Sequence, residues 1–156
     1  MGQEIERKFL VSSNSWQGDA PGELFRQGYL NTHKERTVRV RQKGERAWLT
    51  IKGLSRGATR SEYEYEIPAA DAAEMLDALC ERPLIEKTRY RVPFAGHTWE
   101  IDEFHGANAG LVLAEVELDS EDESLSLPPW VGDEVTGDAR YFNANLVAQP
   151  YAQWGS

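Results

Sequence analysis

The sequence predicts an α+β protein built on eight antiparallel strands closed into a barrel, with a few flanking helices. Three observations carry this expectation. Eight stretches alternate in polarity with a period of two, at hairpin-like spacing. On six of them one face holds Ile, Val, Leu, Tyr or Trp and the other holds charge, with acids and bases segregated by segment. A clear helical period appears between Pro68 and Pro83. Closing such a sheet removes the exposed edges that invite aggregation.

The first strand spans residues 3–12 and puts Glu4, Glu6 and Lys8 on one face, with Ile5, Arg7 and Phe9 on the other. Ser12 to Ser15 is a breaker cluster in which Asn14 or Ser15 can cap a short helical turn around Trp16. Asp19-Ala20-Pro21-Gly22 reads as a loop. The second strand, 23–31, sets Phe25, Gln27 and Tyr29 on one face. The third, 35–43, alternates Thr37, Arg39 and Arg41 with Val38 and Val40, and Gly44-Glu45 turns it into the fourth, 46–52, where Trp48, Thr50 and Lys52 share a face. Residues 53–59 are glycine-rich and flexible. The fifth strand, 60–67, places Glu62, Glu64 and Glu66 opposite Tyr63, Tyr65 and Ile67.

Pro68 ends that strand. Ala72, Met75, Leu76, Leu79 and Cys80 then form one apolar helix stripe, with Asp71 near the positive end of the helix dipole. Cys80 on this stripe reads as a small core residue. After Pro83 the sixth strand, 84–93, carries Lys87, Arg89 and Arg91; the seventh, 97–104, carries Glu100 and Asp102; the eighth, 111–119, carries Leu113, Glu115 and Glu117. Ser120 to Ser124 is an acidic, solvated loop. The tail is expected to hold a turn of helix near Asp133-Glu134-Val135 and a helix over 140–147.

A chain of 156 residues fits one domain, and 40% hydrophobic with 28% charged residues is ordinary for a soluble protein. Cys80 is the only cysteine, which excludes an internal disulfide. A net charge of −9 argues against nucleic acid as a partner. No apolar run reaches the roughly 20 residues that span a bilayer. The N-terminus passes directly into a charged strand without a signal-peptide pattern, so the cytoplasm is expected.

Two arrangements satisfy the alternation: an open sheet with its charged face in water, or a barrel with its charge inside. The chemistry favours the second. Bases from the third, fourth and sixth strands, with Lys8, would converge and repel one another unless an anion occupies them or acids offset them. Arginine forks match phosphate oxygens and lysine adds point charge. Carboxylates of the first and eighth strands would converge elsewhere and suit a hard divalent cation. A metal beside a basic channel serves phosphoryl chemistry.

Glu4-Ile5-Glu6-Arg7-Lys8 resembles the ExExK signature of the CYTH superfamily, the triphosphate tunnel metalloenzymes, which include bacterial inorganic triphosphatases, thiamine triphosphatases and class IV adenylyl cyclases. Arg39 and Arg41 match its RxR pair, Lys52 its next lysine, Glu62 and Glu64 its middle acids, Lys87 and Arg89 its KxR pair, Asp102 its aspartate before an aromatic, and Glu115 and Glu117 its late ExE. Gly137-Asp138 to Asn145-Leu146 resembles the C-terminal segment of small bacterial members. The resemblance covers nearly the whole chain and is nearest to the short bacterial inorganic triphosphatases. It implies one CYTH domain over 1–156, with segment 130–156 packing at a closed eight-stranded tunnel. It also implies hydrolysis of tripolyphosphate to pyrophosphate and phosphate, with Mg²⁺ or Mn²⁺ as cofactor. Carried over residue by residue, Lys8, Arg39, Arg41, Lys52, Lys87 and Arg89 bind the triphosphate, and Glu4, Glu6, Glu115 and Glu117 hold the metal with Asp102 and Glu64 nearby. Glu66, Glu100 and Arg91 match no motif and read as salt bridges at the tunnel mouth or surface. Members of the family are often homodimers, although no segment here reads as an interface.

A hydrolase must also handle a proton. Lys87, among cations that disfavour its ammonium form, is one candidate base. Tyr29, its phenol facing arginines, is the other. His33 and His97 sit at turns and His105 beyond a strand end, where solvation is expected. Thiamine triphosphate, ATP for cyclisation, and a silent polyphosphate- or nucleotide-binding module are the alternative readings. No pocket for an organic group is legible, and a pure anion binder has no use for four metal-binding acids.

Overall fold

The computed structural model describes residues 2–18 and 21–154. Asp19 and Ala20, half of the expected second loop, lie outside the described residues, as do Met1, Gly155 and Ser156.

Eight antiparallel strands close into a ring: β1 (Gln3–Val11), β2 (Glu23–Asn31), β3 (Arg36–Lys43), β4 (Arg46–Gly53), β5 (Thr59–Ile67), β6 (Ile85–Phe94), β7 (His97–Phe104) and β8 (Val112–Glu117). Their order is β5-β4-β3-β2-β6-β7-β8-β1, and β1 returns to β5 through Gln3↔Ser61, Glu4↔Arg60 and Ile5↔Thr59. That closing seam is short. Beyond it the free edge of β1 is taken by β9 (Val131–Glu134), with Val11 opposite Val131 and Phe9 opposite Glu134. Residues 133–135 were expected to turn helically. Pairing with β1 overrides that local preference, because it satisfies an edge that would otherwise face no partner.

The apolar faces point outward and are covered. Helix α1 (Ala69–Ala78) lays Ala72 and Leu76 on Val40 and Ala47, with Cys80 in the same cluster. The helix stops one turn-position short of the expected stripe. The amides of both Leu79 and Cys80 donate to the Met75 carbonyl, and Leu79 is left 67% exposed. On the opposite side Phe9, Trp99, Ile101 and Val116 are capped by Trp16, Leu118 and Trp130. Trp16 arrives on a simple turn rather than a helical one.

At one end of the barrel the inward positions themselves become apolar. Leu10, Ile85, Phe104 and Leu113 sit at neighbouring strand ends and share the charged parity of β1, β6, β7 and β8. Together with Tyr29 they pack against Ala144, Leu146 and Val147 of α2 (Asn143–Ala148). The expected helix over 140–147 is two pieces, a 3-10 turn at Ala139–Tyr141 and α2. The C-terminal segment thus plugs one end of the tunnel.

Candidate active site

Above the plug lies a cavity of about 320 Å³, lined by side chains from all eight ring strands and from the segment around Thr136 to Asn145. Strand parity aims the charges inward, and register decides which ones meet. Arg39 lies opposite Thr50, and Thr50 opposite Glu64. Arg39 Nη2 accordingly donates to Thr50 Oγ1 at 3.2 Å, and Thr50 Oγ1 donates to Glu64 Oε2 at 2.8 Å. Arg89 lies opposite Asp102, Lys8 opposite Glu115, and Glu6 opposite Glu117.

Immediately above the plug sit Lys87 and Asp102, each 1% exposed. Lys87 Nζ donates to Asp102 Oδ2 at 2.7 Å and to Asn143 Oδ1 at 3.0 Å. Arg89 grips the same carboxylate bidentately, Nε to Oδ1 at 2.7 Å and Nη2 to Oδ2 at 2.8 Å, and reaches Glu115 at 3.4 Å and Glu100 at 3.2 Å. Burial, reinforced by Arg89 and Arg41 and opposed by Asp102, lowers Lys87 to about 7. The sequence argument had cations as the cause; burial is the larger one. Arg41, buried beside Arg39 and Arg89, is lowered to about 9 and so remains charged at neutral pH. Its Nε donates to Gln27 Oε1 at 3.0 Å, and it stacks with Arg89 on Phe25, at 4.9 and 5.1 Å from the ring centre. Lys8 Nζ donates to the Tyr141 carbonyl at 3.1 Å and lies over Phe142. Lys52 donates to Glu4 at 3.0 Å and faces Glu62 at 3.5 Å.

The structure brings Lys8, Arg39, Arg41, Lys52, Lys87, Arg89, Glu4, Glu6, Glu64, Glu115, Glu117 and Tyr29 onto one cavity. The expected separation into a basic and an acidic volume gives way to interleaving, because antiparallel register places acids beside bases. Both oxygens of Asp102 are hydrogen-bonded to Arg89 and Lys87, which makes it their counter-ion in this structure. Glu64 is likewise engaged by Thr50 and Arg39. Glu66 pairs with Arg46 in solvent, at strand ends outside the cavity lining, whereas Glu100 bridges Arg89 and Arg91 at the cavity. His105 is not merely solvated; its Nε2 pairs with Thr88 Oγ1 at 2.7 Å.

Among the described residues no three acids form a ready coordination shell. The donor set nonetheless suits a hard cation. Burial and the neighbouring carboxylates of Glu115 and Glu4 raise Glu6 well above the ordinary range. Against burial, Lys8, Arg89 and a hydrogen bond from Glu6 hold Glu115 well below it. The Glu6–Glu115 hydrogen bond needs a proton on one carboxyl, and a divalent cation relieves the same repulsion. Glu117 is raised by burial and by Glu4, Glu62 and Glu100.

Gln27, Asn143 and Arg60 also belong to the site's surroundings. Gln27 had a signal, a polar residue between Phe25 and Tyr29 on the inward face of β2. Arg60 had one too, sharing the inward parity of Glu62 and Glu64 on β5, whereas its place over Phe142 and the role of Asn143 depend on where the tail docks.

The family model described as CYTH domain matches residues 2–151. An inorganic triphosphatase of Acetivibrio thermocellus is 54% identical over 151 residues, covering 97% of both chains. An inorganic triphosphatase of Nitrosomonas europaea is 42% identical over 149 residues, covering 92% of this chain and 96% of that one. A crystal structure of an inorganic triphosphatase superposes with a TM-score of 0.67 at 39% identity, over 92% of this chain and 97% of that chain.

Proposed function

The chain belongs to the CYTH domain family, and on that premise we propose that it is an inorganic triphosphatase that cleaves tripolyphosphate to pyrophosphate and phosphate in the plugged tunnel. The observation that carries this reading is the convergence of Lys8, Arg39, Arg41, Lys87 and Arg89 on one cavity that also holds Glu4, Glu6, Glu115 and Glu117. The arginines bind phosphate oxygens in pairs, and the lysines add point charge. Glu4, Glu6, Glu115 and Glu117 would hold Mg²⁺ or Mn²⁺, which neutralises charge on the phosphate oxygens. Glu64 and Asp102 support cations in this reading.

Lys87 is the favoured base. Nζ commits two hydrogens to Asp102 and Asn143, so the remaining tetrahedral direction of a neutral amine carries its lone pair toward the cavity. Water attacks a terminal phosphorus, its proton passes to Nζ, the bridging P–O bond breaks, and pyrophosphate departs. Tyr29, opposite Arg39 in register, is the rival. The domain extent of 1–156, a cytoplasmic setting and a homodimer stand on the sequence and the resemblance; no described helix is long and apolar enough to cross a membrane.

Phosphate release from tripolyphosphate, ATP and pyrophosphate, each with and without Mg²⁺, tests the reading. Tripolyphosphate is expected to turn over much faster than ATP, whose adenosine finds no apolar slot in the cavity. It should also outpace pyrophosphate, which is too short to span the basic cluster and the acids. A higher kcat/KM for ATP would put the chain on the nucleotide branch instead.

A further inference from the structure

One wall of the cavity contains a hydrogen-bonded chain that runs through two residues to which neither the charge pattern nor the resemblance gave a role. Arg41 Nε donates to Gln27 Oε1 at 3.0 Å, Gln27 Nε2 donates to Asn143 Oδ1 at 2.9 Å, and Lys87 Nζ donates to that same Asn143 oxygen at 3.0 Å. Its polarity is fixed by the groups at its ends. A guanidinium can only donate, so Gln27 must turn its oxygen to Arg41 and its amide nitrogen to Asn143, whose oxygen also accepts from Lys87. The Gln27 amide nitrogen then meets the Asn143 oxygen without conflict. Gln27 is 0% exposed, so water cannot replace either bond. Asn143 is the first residue of α2, and the next turn of that helix is anchored in the plug by Ala144, Leu146 and Val147.

We infer that Asn143, backed by Gln27, is a positioning residue for Lys87: it ties the lysine to the C-terminal plug and to Arg41 and thereby sets the direction in which Nζ faces the substrate. Asp102 alone would leave Nζ free to swing about one strong contact. With Asn143 as the second acceptor, two of its three bonding directions are fixed and the third is aimed. The inference rests on the triphosphatase reading of the cavity.

The test compares Asn143→Ala, Asn143→Asp and Gln27→Leu with the wild type in Mg²⁺-supported tripolyphosphate hydrolysis, and measures tripolyphosphate binding in EDTA by calorimetry. Asn143→Ala is expected to lower kcat by about 10-fold to 100-fold, the range of a lost hydrogen bond to a charged group. KM and the calorimetric affinity should stay within about 3-fold, because the arginines that hold the phosphates are untouched. Asn143→Asp keeps an oxygen for Lys87 and Gln27 and should recover most of the lost kcat. Gln27→Leu should lie between the alanine variant and the wild type. If Asn143→Ala does not fold, Asn143→Ser, too short to reach Lys87, takes its place. Unchanged kcat in the alanine or serine variant overturns the inference. So does a parallel loss of kcat and binding that Asn143→Asp fails to repair, which marks a structural role. A wild-type chain that releases no phosphate overturns the functional reading itself, an outcome the variants cannot mimic.

Discussion

Asp102→Asn separates a counter-ion from a metal ligand. The native carboxylate accepts three short charge-assisted bonds, two from Arg89 and one from Lys87, at a position 1% exposed. The amide keeps the shape, but it turns an N–H₂ toward a cation, removes the ion pair of Lys87 and leaves Arg89 to Glu115 and Glu100 alone, with Arg41 close by. Removing one partner of a buried pair costs about 3–5 kcal/mol. For a chain of this size, that lowers the melting temperature by roughly 6 to 20 °C, at about 2–4 °C per kcal/mol. The penalty has a pH signature. Lys87 is held at about 7 in the fold, whereas an unfolded lysine titrates near about 10.4. Between these values the unfolded chain binds the extra proton, so the contribution of Lys87 to stability rises with pH and is lost as pH falls through about 7. Without the carboxylate Lys87 falls further, and the same window opens downward. The assay is urea unfolding in EDTA between pH 6 and 9, with the Mg²⁺ dependence of turnover measured in parallel. A loss below about 1 kcal/mol, together with a raised Mg²⁺ requirement, would refute the counter-ion argument and return Asp102 to the metal.

Glu6→Gln and Glu115→Gln should each raise the Mg²⁺ concentration for half-maximal activity by at least the roughly 10-fold that loss of a supporting partner costs a metal site. Glu6→Gln should cost less melting temperature than Glu115→Gln, since burial and the carboxylates of Glu115 and Glu4 push Glu6 toward its protonated form, which the amide resembles; full activity at low Mg²⁺ would remove both residues from the metal assignment. The base should reveal itself in paired pH–rate profiles of Lys87→Ala and Tyr29→Phe, losing its alkaline-favoured limb and about 10² to 10⁴ in kcat. If Lys87→Ala raises KM alone, Lys87 is a phosphate clamp and Tyr29 takes the role.

The barrel was legible because period two recurs eight times, and the boundaries of β2 and β7 match the alternation residue for residue. Parity also located the inward charges, since it depends only on the pleat. Partners were another matter. Arg89 meets Asp102 across the β6–β7 hairpin, so that pair depends on the register its turn sets, whereas Lys52 meets Glu4 only because the ring closes strands far apart in sequence. The resemblance set Asp102 near the metal, and its pairing with Arg89 and Lys87 came only with the structure. β9 was missed because its four residues draw their order from the edge of β1 rather than from their own pattern. The plug was visible only in pieces: Leu10, Ile85, Phe104 and Leu113 each end or begin a strand of charged inward parity, and their meeting is a property of the closed ring. Asn143 lay within the segment that resembles the family's C-terminal one, but its own role had no signal, as it comes from where α2 docks.

The division between outside and inside explains how a barrel tolerates so much buried charge. The hydrophobic clusters lie on the covered outer faces and at the plug, with Phe25 the buried aromatic under the inward arginines, so the charged inward positions contribute little to packing. Most of the inward charges are paired, Arg89 with Asp102 by register and the others across the barrel interior: Lys52 with Glu4, Arg89 with Glu115, Arg39 with Glu64. The exceptions among the described residues fall into two kinds. Lys8 and Arg41 are met by a carbonyl and an amide oxygen and form no ion pair. Glu6 and Glu117 form none either, and both are pushed toward their protonated forms. The first two lack an anion and the last two lack a cation. A polyphosphate alone would answer the bases while adding to the repulsion on the acids, and a divalent cation alone would do the reverse. Only the two together satisfy both sets, so the resting charge pattern favours a phosphate chain with its cation over either component by itself.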